Sequence, residues 1–469
     1  MNKFLKYNLE YISGRMSLRS PQKESLKILD NILNNIELSK NINLDETLKK
    51  VNSLYPTCSD FERKFLSLAF VLATGVGKTR LMGTFITYLY TNYNIKNFLV
   101  VAPNKTIYNK LKQDLGNPSN PKYVFKGIDC FVVNPPKIYS GEDYKNKNME
   151  LFPQDIKIYI YNIDKFNSET SKMKEVNEFL GASFFDELSK MEDLVIIMDE
   201  SHHYHGEKGA LALNELKPLL GLELTATPYY KIKSKQEKFK NAVYEYPLSK
   251  SIRDGYTRTP YAVTRQDINF YNFGEEELDK MMISDGIICH KKIKLELEYY
   301  AKNNGKTKVK PFMMIVCKDT EHANSIFEYI TSDDFINGEY KEKTLVIHSN
   351  QSKTKREENV EKLLSVESYE NPIEIVIHVD MLKEGWDVNN LYTIVPLRTA
   401  SSKILREQMV GRGLRLPYGT RTGVKEIDSV MLTAHSKFDE ILKEAQKGDS
   451  IFKEGNVIKF GFNAELDSY

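Results

Sequence analysis

Cysteine is scarce, and what there is does not pair up. The 469 residues contain four, Cys58, Cys130, Cys289 and Cys317, with no C-x-x-C spacing. That argues against a disulfide framework and a cysteine-rich zinc site, and it fits a reducing cytoplasm. Long apolar runs are missing too. No segment approaches the roughly 18 unbroken apolar residues of a membrane helix, and the amino-terminal MNKFLKYNLEY lacks the apolar stretch of a secretion signal. Nor is there an excess of one charge. Lys plus Arg is 66 and Asp plus Glu is 64, a net +2, so a polyanion must be met by a local patch and not by a global field. The lysine clusters at Tyr230–Lys240, Lys291–Lys294 and Lys302–Lys310 each read, taken alone, as solvated surface. No short-period repeat is visible.

What the chain does have is alternation. From Arg19 to about Pro247, short Val/Ile-rich runs such as FLVVA, IYIY, LVIIM and LELT alternate with amphipathic stretches. The pattern lapses between Arg265 and Lys310, which is polar and helical in its middle, and resumes with FMMIVC, TLVIH, IEIVIHV, YTIVPL and SVMLT. Strands alternating with helices predict parallel sheets covered on both faces, here α/β with two domains and a helical insertion over 265–310 near the start of the second. The segment from Lys137 to Asp155 reads as a polar surface loop.

The chemistry concentrates in LATGVGKTR. Within it Thr74, Gly75, Val76, Gly77, Lys78, Thr79 and Arg80 form a phosphate cradle: the glycines let backbone N–H groups face a triphosphate, Lys78 reaches its β/γ oxygens, and the Thr79 hydroxyl sits on Mg²⁺. The flanking strand and helix place the phosphates on a helix N-terminus. The strict G-x-x-x-x-G-K-[ST] pattern is missed at Leu72, which leaves the shorter x-T-G-x-G-K-T form of many nucleic-acid-dependent ATPases. After LVIIM comes MDESHHYH, where Asp199 can hold the metal and Glu200 can deprotonate an attacking water. Two rival readings stand beside it: a helix cap built by Asp199 and Ser201, and a metal site from His202, His203 and His205. LTATP at Leu224–Pro228 read alone is a turn, and QMVGRGLRLP at Gln408–Pro417 read alone is a basic amphipathic helix.

Taken in order, these strings resemble the superfamily 2 helicases and translocases. The resemblance implies two tandem RecA-like domains, a helicase ATP-binding domain over 1–248 and a helicase C-terminal domain over 249–469, using ATP and Mg²⁺. It implies that Arg412 and Arg415, in the motif headed by Gln408, reach the γ-phosphate, and that Asp380, Gly385 and Asp387 in VDMLKEGWDVNN link nucleotide to nucleic acid. Trp386, the single tryptophan, reads equally well as core. Likewise implied are coupling by His202, Thr225 and Thr227, and nucleic-acid contacts at Asn104, Lys105, Asn162 and Phe166. Gln22 in SLRSPQKESLKIL falls where relatives read adenine, although a Pro-started helix with one exposed Gln looks the same. The strings YNIDKFN, LSKSIRDGYTRTP, MLKEGWDVNNLYTIVPLR and SSKILREQMVGRGLRLP resemble, more narrowly, the motor part of the restriction (Res) subunit of type III restriction enzymes, over about Leu18 to Phe438.

That likeness implies ATP-driven movement on duplex or single-stranded DNA in restriction or phage defence, with a modification and recognition subunit or a partner nuclease. No nuclease constellation is found: Glu296 with Glu298, and Asp333 with Asp334, read as surface charge, so the chain is expected not to cut DNA alone. An RNA-dependent helicase and a nucleotide-gated binding switch stay open as alternatives.

Overall fold

The computed structural model describes residues 7–140, 156–162, 184–232, 235–266, 272–348, 351, 353–379, 388–397, 410–411, 413–433 and 456–460. The chain divides into two units, Met1–Pro247 and Leu248–Tyr469.

In the first unit the apolar runs become strands β1 (Ser67–Leu72), β2 (Asn97–Ala102), β3 (Lys137–Ser140), β4 (Lys157–Asn162), β5 (Leu194–Asp199) and β6 (Leu220–Thr225). An antiparallel hairpin follows, β7 (Tyr229–Ile232) with β8 (Lys235–Lys238), and β9 (Ala242–Tyr246) returns to the sheet. The order is β3-β4-β2-β5-β6-β1-β9, and every pairing is parallel. All residues of β1, β5 and β6 are buried, as expected of parallel strands covered on both faces. One expectation needs correcting. Lys137–Ser140 is not loop but the edge strand β3, paired with β4. Its Tyr139 stacks on Tyr159 with ring centroids 5.5 Å apart, and an edge position tolerates the lysine and serine that made the segment read as polar.

The second unit holds β10 (Thr259–Arg265), β11 (Phe312–Val316), β12 (Thr344–Ile347), β13 (Ile375–His378), β14 (Leu391–Pro396), β15 (Ser429–Thr433) and β16 (Val457–Phe460). They form a second parallel sheet in the order β12-β13-β11-β14-β15-β10-β16. β10 was not anticipated, because Pro260 breaks its pattern. The proline is tolerated since pairing with β16 begins only at Ala262, so no ladder bond is asked of its missing N–H on that side. The polar stretch after β10 is the helix Glu275–Asn304, whose Met282, Ile283, Ile287, Ile293 and Leu297 are buried. Gly286 lets it approach the sheet closely: a Cβ there would lie 2.6 Å from Val395 and 2.9 Å from the Met313 sulfur.

With the hairpin set aside, the two sheets share one strand order. Numbered within its own unit, each runs third, fourth, second, fifth, sixth, first, seventh. Among the described residues no helix is long and apolar enough to cross a membrane.

Candidate nucleotide site and strand edge

The phosphate loop leaves β1 and enters the helix Lys78–Tyr93. Two glycines take left-handed backbone there, Gly75 at φ +83° and Gly77 at φ +101°, conformations that a side chain strains. Val76 between them is fully buried and anchors the loop from below. The carbonyls turned outward are held by side chains near the amino terminus: Arg19 Nη1 donates to the Gly75 carbonyl at 2.8 Å, and Gln22 Nε2 donates to the Gly77 carbonyl at 2.9 Å. Gln22 is not an exposed residue of a Pro-started helix; it is buried, and its Oε1 also accepts from the Arg19 N–H at 2.7 Å. A Cβ on Gly77 would lie 2.6 Å from Gln22 Nε2, so the loop and this amide fit only with glycine. Arg80 Nη1 donates to the Met16 carbonyl at 2.8 Å and fixes the other side of the helix entry. Arg19 was not among the expected site residues, although it stands three residues ahead of Gln22 in SLRSPQKESLKIL.

Opposite the loop, β5 ends in Asp199 and the chain turns sharply. Glu200 sits at φ +49° and ψ +53°, a strained position for a non-glycine residue, of order 1–2 kcal/mol. The turn brings Glu200 Oε1 to 3.1 Å from Lys78 Nζ. Asp199 is buried, and its Oδ1 has no hydrogen-bond partner among the described residues. Burial, and then the neighbouring Glu200 charge, push its carboxyl up to about 6, with Lys78 and Lys110 opposing. A buried carboxylate oxygen without a donor is the group a divalent cation satisfies, so the residues present fit Mg²⁺.

His202 Nδ1 lies 3.0 Å from Thr225 Oγ1, which donates to the Thr227 carbonyl and accepts from the Thr227 N–H. The zinc reading of the three histidines does not fit. His205 turns away to Glu223 at 3.0 Å and stacks on Tyr230, and no group of three potential ligands gathers among the described residues.

Behind this turn lies a charge network that the sequence did not reveal. Glu223, fully buried in the middle of β6, is ion-paired with Arg63 Nε at 3.1 Å and accepts from Ser67 at 2.8 Å and Asn241 at 3.1 Å. Burial alone would raise its carboxyl, but Arg63 and His205 hold it well below the usual carboxylate range. Arg63 Nη1 also donates to the Tyr204 carbonyl at 2.9 Å. Through His202 and His205 the segment after Asp199 is therefore fastened to two residues of β6, Thr225 and Glu223.

Asn104, Lys105 and Asn162, the remaining first-unit candidates among the described residues, lie along the same sheet edge. Asn104 follows β2 and caps the helix Lys105–Gly116, its Oδ1 accepting from the Ile107 N–H at 3.0 Å. Asn162 ends β4, and the β2–β4 register sets it beside Ala102. Read across the strand order, the carboxyl ends carry Asn162 on β4, Asn104 and Lys105 after β2, Asp199 and Glu200 on β5, Thr225 on β6 and the phosphate loop after β1. Phe166, Asp380, Gly385, Asp387, Gln408 and Arg412 lie outside the described residues. Arg415 is described and half-buried. Glu298, Asp333 and Asp334 are exposed, and Glu296 is half-buried on the same helix as Glu298.

The family model described as type III restriction enzyme, res subunit matches residues 15–230, and the one described as helicase conserved C-terminal domain matches residues 291–417. The chain is a superfamily 2 helicase-type protein. Its two sheets are tandem RecA-like domains, and it resembles the motor part of the type III Res subunit. A probable type III restriction-modification enzyme HindVIP Res subunit of Haemophilus influenzae is 23% identical over 429 residues, covering 72% of this chain and 78% of that protein. Among solved structures, the Mycobacterium smegmatis helicase Lhr, bound to ssDNA and AMP-PNP, aligns at 14% identity and TM-score 0.47. That alignment covers 92% of this chain and about half, 49%, of the helicase. A fragment of a putative type I restriction HsdR subunit from Vibrio vulnificus aligns at 16% identity and TM-score 0.49, covering 96% and 72%.

Proposed function

We propose that this superfamily 2 protein is an ATP-dependent DNA translocase or helicase motor acting in restriction or phage defence, with residues 1–248 binding ATP and residues 249–469 completing the motor. The observation that carries the reading is the meeting of Lys78, Glu200 and the partnerless Asp199 oxygen at the mouth of the phosphate loop, on the edge that also carries Asn104 and Asn162.

The loop N–H groups and Lys78 bind the β/γ phosphates, which draws the Lys78 ammonium from Glu200. Glu200, released from its ion pair, then orients a water and takes its proton as the water attacks the γ-phosphorus and the bond to the β–γ bridging oxygen breaks, giving phosphate and ADP. Thr79 and Asp199 would hold Mg²⁺, which neutralises charge on the phosphate oxygens. Arg412 and Arg415, charged at any physiological pH and shaped to grip phosphate oxygens, complete the site. His202 and Thr225 pass the change at Glu200 to β6 through the 3.0 Å contact. Asn104, Lys105, Asn162 and Phe166 hold the nucleic-acid backbone, and a modification and recognition subunit or a partner nuclease supplies the site of action.

Displacement of a tightly bound roadblock from duplex DNA by the purified chain, dependent on ATP hydrolysis, tests the motor. Stimulation of hydrolysis by DNA without displacement would reduce the protein to a nucleotide-gated switch, and stimulation by RNA alone would change the polymer.

A further inference from the structure

The second unit contains a fully buried arginine, Arg258, without a carboxylate in ion-pair distance among the described residues. Its guanidinium lies 3.6 Å from the centroid of the Tyr392 ring; its two terminal nitrogens donate to backbone, while Nε is buried without a partner among the described residues. Nη1 donates to the carbonyls of Leu391 at 2.7 Å and Gly413 at 3.1 Å, and Nη2 donates to the carbonyl of Asn389. Its own backbone N–H donates to the Leu414 carbonyl at 2.8 Å. Burying a guanidinium is costly unless its donors are used, and no function described so far accounts for this one.

The carbonyls it gathers belong to two distant stretches. Asn389 and Leu391 follow Asp387 within MLKEGWDVNNLYTIVPLR, and Gly413 and Leu414 lie between Arg412 and Arg415. The second stretch is pinned from other sides as well. Val410 and Leu414 are buried in the core with Val388, Leu391 and Val430, and a Cβ on Gly413 would lie 2.5 Å from Val430 Cγ2. A planar fork reaches these carbonyls from two nitrogens held in a fixed geometry, whereas an ammonium presents its three donors from a single nitrogen.

We propose that Arg258 is a positioning residue for the arginine segment, fixing the backbone of Gly413 and Leu414 against that of Asn389 and Leu391 so that Arg415 is presented in one place. The inference rests on the reading that Arg415 acts on the nucleotide.

Turnover of the full chain with ATP and DNA tests it in four proteins: wild type, Arg258→Lys, Arg415→Ala and the double variant. Arg258→Lys is expected to lower kcat by roughly 10- to 100-fold, since a displacement of roughly 1 Å can cost about 10²-fold, with KM for ATP within about twofold. In the Arg415→Ala background the same substitution should cost less than about twofold, because the group it positions is gone. Leu297→Ala, a core change in the same unit, serves as the stability control. A kcat loss that multiplies equally in both backgrounds, or that Leu297→Ala reproduces at equal loss of Tm, overturns the inference and leaves the function intact. Full turnover in Arg415→Ala overturns the function's interdomain arginine and the inference with it. Where Arg258→Lys does not fold, Gly413→Ala displaces the same segment from the Val430 side and is held to the same criteria.

Discussion

The turn after β1 carries Gly75, Gly77 and Lys78, whereas the turn after β10, the strand in the same place of the same sheet order, begins with the exposed Gln266 and leads into the 30-residue helix Glu275–Asn304. The stretch anticipated as a helical insertion thus occupies the chain position of the phosphate-binding helix and covers its sheet. Each unit also buries an arginine shortly before its first strand, and the two are neutralised differently. Arg63 meets the carboxylate of Glu223, with His205, Ser67 and Asn241 saturating the rest. Among the described residues Arg258 meets carbonyls and a ring. One sheet order therefore supports two different tasks, and the difference resides in short loops and a few buried side chains, as expected where function is grafted on a fold.

Removing the first unit's phosphate or water chemistry should have the largest effect. Lys78→Ala should abolish turnover and weaken nucleotide binding, and Glu200→Gln should spare binding while lowering kcat by roughly 10²–10⁴. Gln266→Ala, at the equivalent turn, should leave kcat within about twofold. A large loss there would break the asymmetry between the units.

Next comes the buried pair. Glu223→Leu strands the Arg63 guanidinium and should cost about 3–5 kcal/mol of first-unit stability, while Arg63→Met with Glu223→Leu should cost less than the sum of the single changes. Denaturant titration that follows each unit's transition separately measures both. Strict additivity would mean that the two groups do not act as a pair.

A smaller effect concerns pH. The Asp199 carboxyl is raised above its ordinary value, to about 6, so the folded protein holds a proton there that the unfolded chain has lost. Its ionisation on going from about pH 4 to pH 6 therefore works against stability. A cation must displace that proton, so Mg²⁺-dependent nucleotide affinity should fall as pH drops below about 6. Glu200→Gln, which removes the adjacent negative charge, should move that limb to lower pH. An unmoved limb would assign the proton elsewhere.

The smallest expected change is Gly305→Ala, which ends the long helix at φ +58° with nothing within 4 Å of a new Cβ. It should cost about 1 kcal/mol in thermal unfolding of the second unit and leave turnover unchanged.

What the sequence made legible was local. The loop Thr74–Arg80, the acidic pair at Asp199 and the Thr225–Thr227 turn are each made by neighbours in the chain, and it was their order, not any one string read alone, that pointed to a nucleotide site. Strand existence was legible wherever both faces are buried, because such strands are continuous apolar runs. It failed for the edge strands β3, β9 and β16, whose positions admit charged residues, and for β10, where a proline hides behind an unpaired side. The network joining Arg63, Glu223 and His205 spans 160 positions, and nothing in spacing predicts which buried glutamate meets which arginine. Gln22 lay between these cases: its place ahead of the loop was readable, but its burial and its grip on the Gly77 carbonyl come only from tertiary packing.

The most direct test of the central claim, that one strand edge of the first unit couples nucleic acid to ATP hydrolysis, is the rate of phosphate release by the purified chain as DNA is titrated at fixed MgATP. The account predicts a saturable rise of at least about tenfold in the wild type, by the same scale as a completed catalytic group, and no rise in Glu200→Gln at any DNA concentration. A wild-type rate that is the same with and without nucleic acid, or Glu200→Gln turning over as fast as the wild type, would contradict it.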